Sequence, residues 1–281
     1  MNVLLALTSK LCRAAHVLAR FAAYGKHPQR AAISRVYLRL HAKVALYSLF
    51  GRPVRSLSLL GRKIHFPDSH VFSFLLTEIF LEESYACCDS PPATILDLGS
   101  NIGVSILWFK SLWPQATVLG VEASPQIFEY LKQNVEGLPG VTVLNLAVSD
   151  HAGQIMFYST PASLVGSTNS LRGGSSGVLV EALPLSGFLS VPVDLLKIDI
   201  EGAEMAAFAE LESSGKLALV RRVIVEYHHR LPGDTQSLAN FFARLERNGF
   251  TLELAAQRPD PAGGMQDILI HAWQPGQLPS S

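Results

Sequence analysis

Short continuous apolar runs alternate with amphipathic segments through the middle of the chain. Continuous runs are typical of strands buried on both faces, and apolar positions three and four residues apart are typical of helices packed on such a sheet. The predicted elements, in chain order, are strand Ala93–Leu98, helix Ile102–Leu112, strand Ala116–Glu122, helix Pro125–Val135, strand Val141–Val148, strand Val193–Ile200, helix Ala203–Ser213, strand Arg221–His228 and helix Thr235–Asn248. This order indicates an α/β fold with a parallel sheet covered on both faces.

The end of the chain departs from the alternation. Phe250–Ala256 and Asp267–Trp273 are predicted strands joined by a turn rich in proline and glycine, with no helical pattern between them. Only antiparallel strands can be joined without a long crossover, so we expect a hairpin to close the sheet. A short extra strand is predicted at Gln154–Tyr158. The Ser/Gly-rich segment Gly166–Gly177 that follows is typical of a lid, a binding loop or a disordered segment.

Two amphipathic basic helices are predicted before this domain. The apolar positions of the first are Leu4, Leu7, Leu11, Leu18 and Ala22. The second is expected over Ala31–Phe50, with Val36, Leu40, Val44 and Tyr47 on its apolar face. Residues 1–63 contain 12 of the 23 lysine and arginine residues and none of the 23 acidic residues. Such a basic arm either lies on an anionic membrane surface or another acidic partner, or folds as a helical cap on the acidic remainder of the chain.

Composition and cysteine usage narrow the class of protein. Hydrophobic residues make up 48% and charged residues 16% of the 281 positions, which excludes a disordered chain. We find neither a transmembrane stretch nor a signal-peptide pattern, and the odd count of three cysteines favours a reducing compartment. We therefore expect a cytoplasmic protein, held at a membrane surface if the basic arm binds lipid. With Pro91-Pro92 as the boundary, its segments are a basic helical extension over 1–63, a lead-in strand and helix over 64–92, and the main domain over 93–281.

The first segment that carries chemistry lies where the first strand of the domain turns into its first helix. It reads Asp97-Leu98-Gly99-Ser100-Asn101-Ile102-Gly103. Glycines there let a ligand approach the backbone, and the helix N-terminus offers free N–H groups. A dinucleotide site has the spacing G-x-G-x-x-G, and here Asn101 and Val104 stand at the second and third glycine positions. This difference disfavours a nicotinamide-dependent oxidoreductase.

Two acidic residues near this turn favour a nucleoside that carries a positive charge. Asp97 precedes the first glycine and suits an amino group, and Glu122 ends the next strand and suits ribose hydroxyls. Together they indicate S-adenosylmethionine. The residues predicted to bind it are Asp97, Gly99, Ser100, Asn101, Gly103 and Glu122. The alternative interpretation of the motif alone is a structural turn with a capping asparagine.

A second group of candidate residues follows two later strands. Asp199, Glu201 and Glu204 come at the carboxyl end of Val193–Ile200, where ligands bind in open α/β sheets. A carboxylate there can take a proton from a hydroxyl, although Glu201 or Glu204 would alternatively cap the next helix.

His228 ends the next strand together with Glu226, on the same face. It is a candidate general base, and the alternative is a partly exposed histidine without a role in catalysis. Asp199, Glu201 and Glu226 could together hold a divalent cation. Because no His-x-His or Cys-x-x-Cys spacing is present, we predict no metal site.

These segments together resemble the FkbM-type methyltransferases of the class I, S-adenosylmethionine-dependent group. The resemblance covers about Phe66 to Phe250 and rests on Asp97–Gly103, Val121–Pro125 with Asn134, Asn145–Asp150, Val225–His228, Asn248–Phe250 and, above all, Leu196–Glu204. It implies a Rossmann-like, mostly parallel seven-stranded sheet with a reversed last strand, and methyl transfer that is typically to a hydroxyl oxygen. Ala147 stands where many class I methyltransferases carry an acid that meets the adenine amino group. Backbone groups near Ala147, or Asp150, would then bind adenine.

The resulting hypothesis is O-methylation of a hydroxyl on a sugar, glycan, lipid or natural product. Asp97, Gly99, Asn101, Gly103 and Glu122 would hold the cofactor, and Asp199, Glu201 or His228 would act on the acceptor. The alternative is a catalytically inactive binding module that associates with a membrane surface through its basic arm. A nucleic-acid acceptor is disfavoured, because the sequence contains neither an aromatic-basic platform nor a zinc motif.

Overall fold

A computed structural model describes residues 15–87, 90–159, 166–167, 176–230, 237–256 and 266–275. Its contacts divide the chain into two compact units, Met1–Ala86 and Cys87–Ser281. The start of the first predicted basic helix and most of the predicted loop Gly166–Gly177 lie outside the described residues.

Helices and one β-hairpin form the first unit. Its elements are α1 (residues 15–24), α2 (Arg30–Ser48), β1 (Ser56–Leu59), β2 (Arg62–His65) and α3 (Ser69–Leu75), which continues as a π-helical segment, Leu76–Leu81. Asp68 caps α3, because its carboxylate accepts the N–H groups of His70 and Val71. The predicted apolar stripe of α2 faces the core of this unit. Val36 and Leu40 are buried, whereas Val44 and Tyr47 are half-buried.

The second unit contains a seven-stranded sheet, a smaller sheet and four helices among its described residues. Its strands are β3 (Thr94–Leu98), β4 (Thr117–Glu122), β5 (Val141–Asn145), β6 (Ala147–Ser149), β7 (Gly153–Ser159), β8 (Gly166–Ser167), β9 (Ser176–Pro184), β10 (Leu195–Ile198), β11 (Arg222–His229), β12 (Thr251–Ala256) and β13 (Gln266–Trp273). Its helices are α4 (Val104–Leu112), α5 (Pro125–Val135), α6 (Glu204–Ser213) and α7 (Leu238–Arg247). Short 3₁₀ turns lie at Leu185–Phe188 and Lys216–Leu219.

The order of strands in the main sheet is β12-β13-β11-β10-β3-β4-β5. Strands β11, β10, β3, β4 and β5 pair in parallel, and β13 is antiparallel to both of its neighbours. The prediction of a mostly parallel seven-stranded sheet with a C-terminal antiparallel hairpin is confirmed. The last strand is inserted between β11 and β12, so that β12 forms the edge of the sheet.

Helices cover this sheet on both faces, as the continuous apolar runs predicted. On one face, Phe208 of α6 and Phe241 of α7 pack together with ring centroids 5.2 Å apart, in a core that includes Leu96 and Leu196. Side chains alternate along a strand, so Asp97 points to the other face. Helix α4 lies on that other face, as the hydrogen bond from the Ser105 hydroxyl to the Asp97 carboxylate shows.

The smaller sheet differs most from the predicted elements. It has the order β6-β9-β7-β8 and its own core of Ala147, Phe157, Val180 and Ala182. The single strand predicted over Val141–Val148 is two strands, one in each sheet, and β9 was not predicted. Across the described part of the chain, no helix has the length and hydrophobicity that a membrane crossing requires.

Candidate active site

The turns that follow β3 and β10 are in direct backbone contact. Gly99 has φ +75°, and a Cβ atom at this position would lie 1.8 Å from the carbonyl oxygen of Asp199. The N–H of Asp199 donates a 3.1 Å hydrogen bond to the carbonyl oxygen of Leu98. Residue 99 therefore has to be glycine both for its left-handed backbone and for this approach.

A buried ion pair lies beneath these turns. Lys197 and Asp97 are register partners on β10 and β3, and the lysine Nζ lies 3.4 Å from the aspartate Oδ1. The same ammonium group donates to the carbonyl oxygens of Leu98 and Gly99 at 3.3 and 2.7 Å. Burial works against the charge of Lys197, but Asp97 and Asp199 raise its pKa above the ordinary value. Lys197 thus fixes the two turns to each other.

Three residues predicted to bind the cofactor lie in this supporting layer. Asp97 is fully buried, and the hydroxyl of the buried Ser100 donates to the Asp97 carbonyl oxygen at 2.8 Å. Gly103, with φ +90°, is the N-cap of α4. The structure brings none of the three to the lining of the cleft described next.

A cleft opens at the carboxyl ends of β3, β4 and β10 and contains about 650 Å³ of empty space, part of which is bulk solvent. Its lining consists of Gly99, Asn101, Val121, Glu122, Ala123, Ser124, Ile127, Leu146, Ala147, Val148, Phe157, Ser159, Asp199, Ile200 and Glu201. Six of the predicted site residues are thus brought together around one cleft. They are Gly99, Asn101, Glu122, Asp199, Glu201 and Ala147, the last as part of an apolar wall.

Glu122 is held rigidly at one side of this cleft. Its two carboxylate oxygens accept the backbone N–H groups of Asn101 and Ser124 at 3.0 and 2.8 Å. Asn145 supports the end of the strand, because its amide donates to the carbonyl oxygens of Glu122 and Ala123. Burial raises the pKa of Glu122 to about 7, although the two N–H donors favour the charged form.

The wall beside Glu122 is apolar and comes from helix α5 and the smaller sheet. Ile127 belongs to α5, Ala147 and Val148 to β6, and Phe157 to β7. Asp150 does not take part. Its carboxylate is exposed, lies 2.5 Å from the ring of His151 and is absent from the lining of the cleft.

The carboxylates on the other side of the cleft surround a buried histidine. His228 Nδ1 lies 2.8 Å from Glu204, and its Nε2 lies 3.2 Å from Glu201 and 3.9 Å from Asp199. Glu204 is 2% exposed and also accepts the N–H groups of Ile200 and Gly202. Glu204 is the first residue of α6, but the N-cap is Ala203 and no side chain caps the helix. Glu204 holds the preceding turn and the histidine ring instead.

The charge state of His228 disfavours the prediction that it is the general base. Burial lowers its pKa, but the charge and hydrogen bond of Glu204, together with the charges of Glu201 and Asp199, raise the pKa to about 10. The ring is therefore protonated at neutral pH and has no lone pair to accept a further proton.

A cation site is nevertheless possible on geometric grounds. Asp199, Glu226 and His228 each offer one ligand atom, and these atoms lie within 4.8 Å of one another. The absence of a metal stays a prediction.

The backbone at Glu201 is in a left-handed conformation, with φ +56°. The hydroxyl of Ser167, on the short strand β8, donates a 2.6 Å hydrogen bond to the Glu201 carbonyl oxygen. This contact lies within the segment that was predicted to form a lid or binding loop. The left-handed backbone of Glu201 is costly for a residue with a side chain, and backbone strain of this kind is often found at functional sites.

The sequence patterns do not single out Lys197, Ser105 or Phe157 as contributors to the site. Lys197 is there only a neighbour of the candidate acids Asp199, Glu201 and Glu204. A lysine within the apolar run of β10 was the one signal available in the sequence, since a buried lysine requires a charged partner.

Comparison with known proteins agrees with this arrangement. The family model described as methyltransferase FkbM domain matches residues 97–252. Methyltransferase 1 of Beauveria bassiana is 30% identical over 214 residues, which cover 66% of this chain and 83% of that protein. The 31-O-demethyl-FK506 methyltransferase FkbM of Streptomyces tacrolimicus is 28% identical over 228 residues, covering 68% of this chain and 85% of that protein.

Among solved structures, methyltransferase FkbM from Methylobacillus flagellatus has a TM-score of 0.46 and 13% identity, covering 83% of this chain and 59% of that one. The matched family range begins at Asp97 and contains every lining residue of the cleft. The chain belongs to the FkbM family of S-adenosylmethionine-dependent methyltransferases.

Proposed function

We propose that this methyltransferase acts on the oxygen of a hydroxylated acceptor, such as a hydroxyl group of a sugar, glycan, lipid or natural product. One observation carries the proposal. In the cleft, Glu122 lies on one side of the turn after β3, and its carboxylate can accept hydrogen bonds from the hydroxyls of a nucleoside. The carboxylates of Asp199 and Glu201 lie on the other side of this turn. A cofactor and a hydroxyl would therefore meet next to Gly99.

The residues at the Glu122 side fit the nucleoside part of S-adenosylmethionine. Each Glu122 oxygen accepts one N–H group, so a further lone pair on each remains for a ribose hydroxyl. The wall of Ile127, Ala147 and Phe157 offers an apolar surface for adenine. When bound, S-adenosylmethionine supplies a methyl group that is electrophilic because it is attached to a sulfonium.

The residues at the other side are suited to receive the acceptor. Asp199 lies 3.4 Å from Lys197, and Glu201 lies 3.2 Å from His228, so both carboxylates are next to a buried cation. Each is about a quarter exposed or less, which leaves it accessible from the cleft. A carboxylate in this position can hold the acceptor hydroxyl by a hydrogen bond and take its proton while the oxygen is methylated.

The name of one relative also supports an oxygen acceptor. The Streptomyces tacrolimicus protein is named as a 31-O-demethyl-FK506 methyltransferase. Its alignment covers most of both chains, so we extend the oxygen acceptor, though not that substrate, to this protein.

Calorimetric titration with S-adenosylmethionine tests the cofactor side. Glu122→Gln keeps the size of the side chain but removes the acceptor capacity of one oxygen, and we expect about a tenfold loss of affinity or more. Asp150→Asn is the matched control, because this carboxylate is exposed and outside the cleft. Equal affinity of the Glu122→Gln variant and the unmodified protein would contradict the assignment of Glu122.

Transfer of radiolabelled methyl groups to a panel of sugar, lipid and polyketide alcohols tests the chemistry. We expect Asp199→Asn and Glu201→Gln to retain S-adenosylmethionine binding and to lower turnover about a hundredfold, and the greater loss identifies the base. Methylation of amines or carbon acids in place of the alcohols would overturn the proposal of an oxygen acceptor.

A further inference from the structure

Helix α2 has a buried face and an exposed face that is also rich in large apolar side chains. Ile33, Val36, Tyr37 and Leu40 are buried in the first unit. On the other side, Leu38 and Leu46 are each 54% exposed, and Leu49 and Phe50, directly after the helix, are 77% and 71% exposed. Exposed apolar side chains grouped in this way are characteristic of binding surfaces.

Basic residues lie among these apolar side chains. Arg35 and Arg39 are exposed; Arg35 precedes Leu38 by three residues, and Arg39 precedes Leu46 by seven, which is two turns. Residues separated by three, four or seven positions on a helix lie on one side, so the arginines and leucines share a surface. We define the α2 outer surface as Arg35, Leu38, Arg39, Leu46, Leu49 and Phe50.

We propose that the α2 outer surface docks on the surface of an anionic lipid membrane. The apolar side chains would enter the boundary between headgroups and acyl chains, and the arginines would remain at the level of the anionic headgroups. This surface differs from the apolar stripe predicted from the sequence, because Val36 and Leu40 of that stripe are buried in the core of the unit.

The charge of the surrounding segment supports this occupant. Residues 1–63 contain 12 basic residues and no acidic residue, so no carboxylate of this segment opposes an anionic lipid. Nucleic acid would also be attracted by the charge, but the exposed leucines of this surface gain nothing from a phosphate backbone. A lipid interface accommodates both kinds of side chain at once.

Co-sedimentation of the full chain with vesicles tests the proposal. We expect binding to vesicles of phosphatidylcholine and phosphatidylglycerol in equal parts, little binding to phosphatidylcholine alone, and weaker binding as the salt concentration rises. Replacing both arginines, in Arg35→Gln with Arg39→Gln, is expected to weaken the partition about thirtyfold. Leu49→Ser with Phe50→Ser is expected to weaken it by at least about tenfold, because two apolar side chains no longer insert.

Leu179→Ser is the matched control, because Leu179 is a leucine of the second unit that is 62% exposed. It should bind vesicles as the unmodified protein does, and all variants should retain their affinity for S-adenosylmethionine if they are folded. Absence of binding to anionic vesicles would overturn the proposal. Unchanged vesicle binding by the Leu49→Ser, Phe50→Ser variant would also overturn the proposal. The same holds if the protein binds single-stranded RNA through Arg35 and Arg39 and does not bind vesicles.

Discussion

The close approach of Gly99 to Asp199 leads to a prediction with an internal control. Gly99→Ala introduces a Cβ atom 1.8 Å from the carbonyl oxygen of Asp199, whereas a Cβ at Gly215 would have no atom within 4 Å. The two glycines have almost the same backbone angle, φ +75° and +74°. Comparing Gly99→Ala with Gly215→Ala therefore separates the cost of a left-handed alanine from the cost of the contact.

The expected losses of stability follow from these two costs. A residue with a side chain in the left-handed region costs about 1–2 kcal/mol, and we expect this loss of stability for Gly215→Ala. Non-bonded atoms need about 3.5 Å or more between them, so in Gly99→Ala the two turns must move apart by more than about 1 Å. The move would strain the hydrogen bonds from Asp199 to Leu98 and from Lys197 to Gly99. With about 1–3 kcal/mol for overpacking, the expected total for Gly99→Ala is about 2–5 kcal/mol.

Urea unfolding followed by tryptophan fluorescence measures both losses. All three tryptophans, Trp108, Trp113 and Trp273, belong to the same unit as the two glycines, so the signal reports on that unit. Gly99→Ala should also weaken S-adenosylmethionine binding, because Gly99 and Asp199 both line the cleft. Equal destabilisation of the two variants, within about 0.5 kcal/mol, would refute the reasoning that the contact constrains the two turns.

Three further predictions concern the ionisable groups of the site. Lys197→Met should lower the free energy of unfolding by about 3–5 kcal/mol, because it leaves Asp97 buried without its cation. Adding Asp97→Asn should recover part of this loss in urea unfolding, and strictly additive losses from the two substitutions would contradict the pairing. His228 keeps its proton up to a folded-state pKa of about 10, whereas the unfolded chain loses it near 6.5, so stability should fall as pH rises between these values. His228→Gln should reduce that slope in unfolding curves recorded at each pH, and an unchanged slope would argue against a charged ring. Affinity for S-adenosylmethionine should fall as pH drops below about 7, where burial places the pKa of Glu122, and calorimetry of Glu122→Gln should show a weaker dependence on pH.

The central strands β3 and β10 of the main sheet could be predicted because they are buried on both faces. From Ile95 to Leu98 and from Leu195 to Ile198, every residue is apolar apart from Asp97 and Lys197. The smaller sheet has no such signature. Strand β9 begins in a Ser/Gly-rich segment, and it is a strand because it pairs with β6 and β7. Pairing of this kind depends on tertiary contacts, which local patterns do not contain.

The candidate site likewise contains residues that could be predicted from the sequence and pairings that could not. Residues at strand ends, such as Glu122, Asp199 and Glu201, could be predicted to meet, because the carboxyl ends of neighbouring parallel strands share one edge. The partner of Asp97 could not be predicted, since the pairing of β3 with β10 joins residues a hundred positions apart. The charge of His228 likewise depends on Glu204, which lies 24 residues earlier at the start of α6, where an acid is already expected at a helix N-terminus.

The two buried cations determine how the cleft carboxylates can act. Lys197 and His228 are each 2% exposed. Lys197 pairs with the buried Asp97 and with Asp199 of the cleft. His228 pairs with the buried Glu204 and with both Glu201 and Asp199 of the cleft. Both carboxylates of the cleft therefore lie beside a buried cation, which holds them in place. In the proposed reaction, a carboxylate is a far weaker base than an alkoxide, so it takes the proton of the acceptor hydroxyl only as the oxygen forms its new bond. Most of the rate acceleration must then come from alignment of the acceptor with the methyl donor, and that alignment depends on the backbone contact between Gly99 and Asp199.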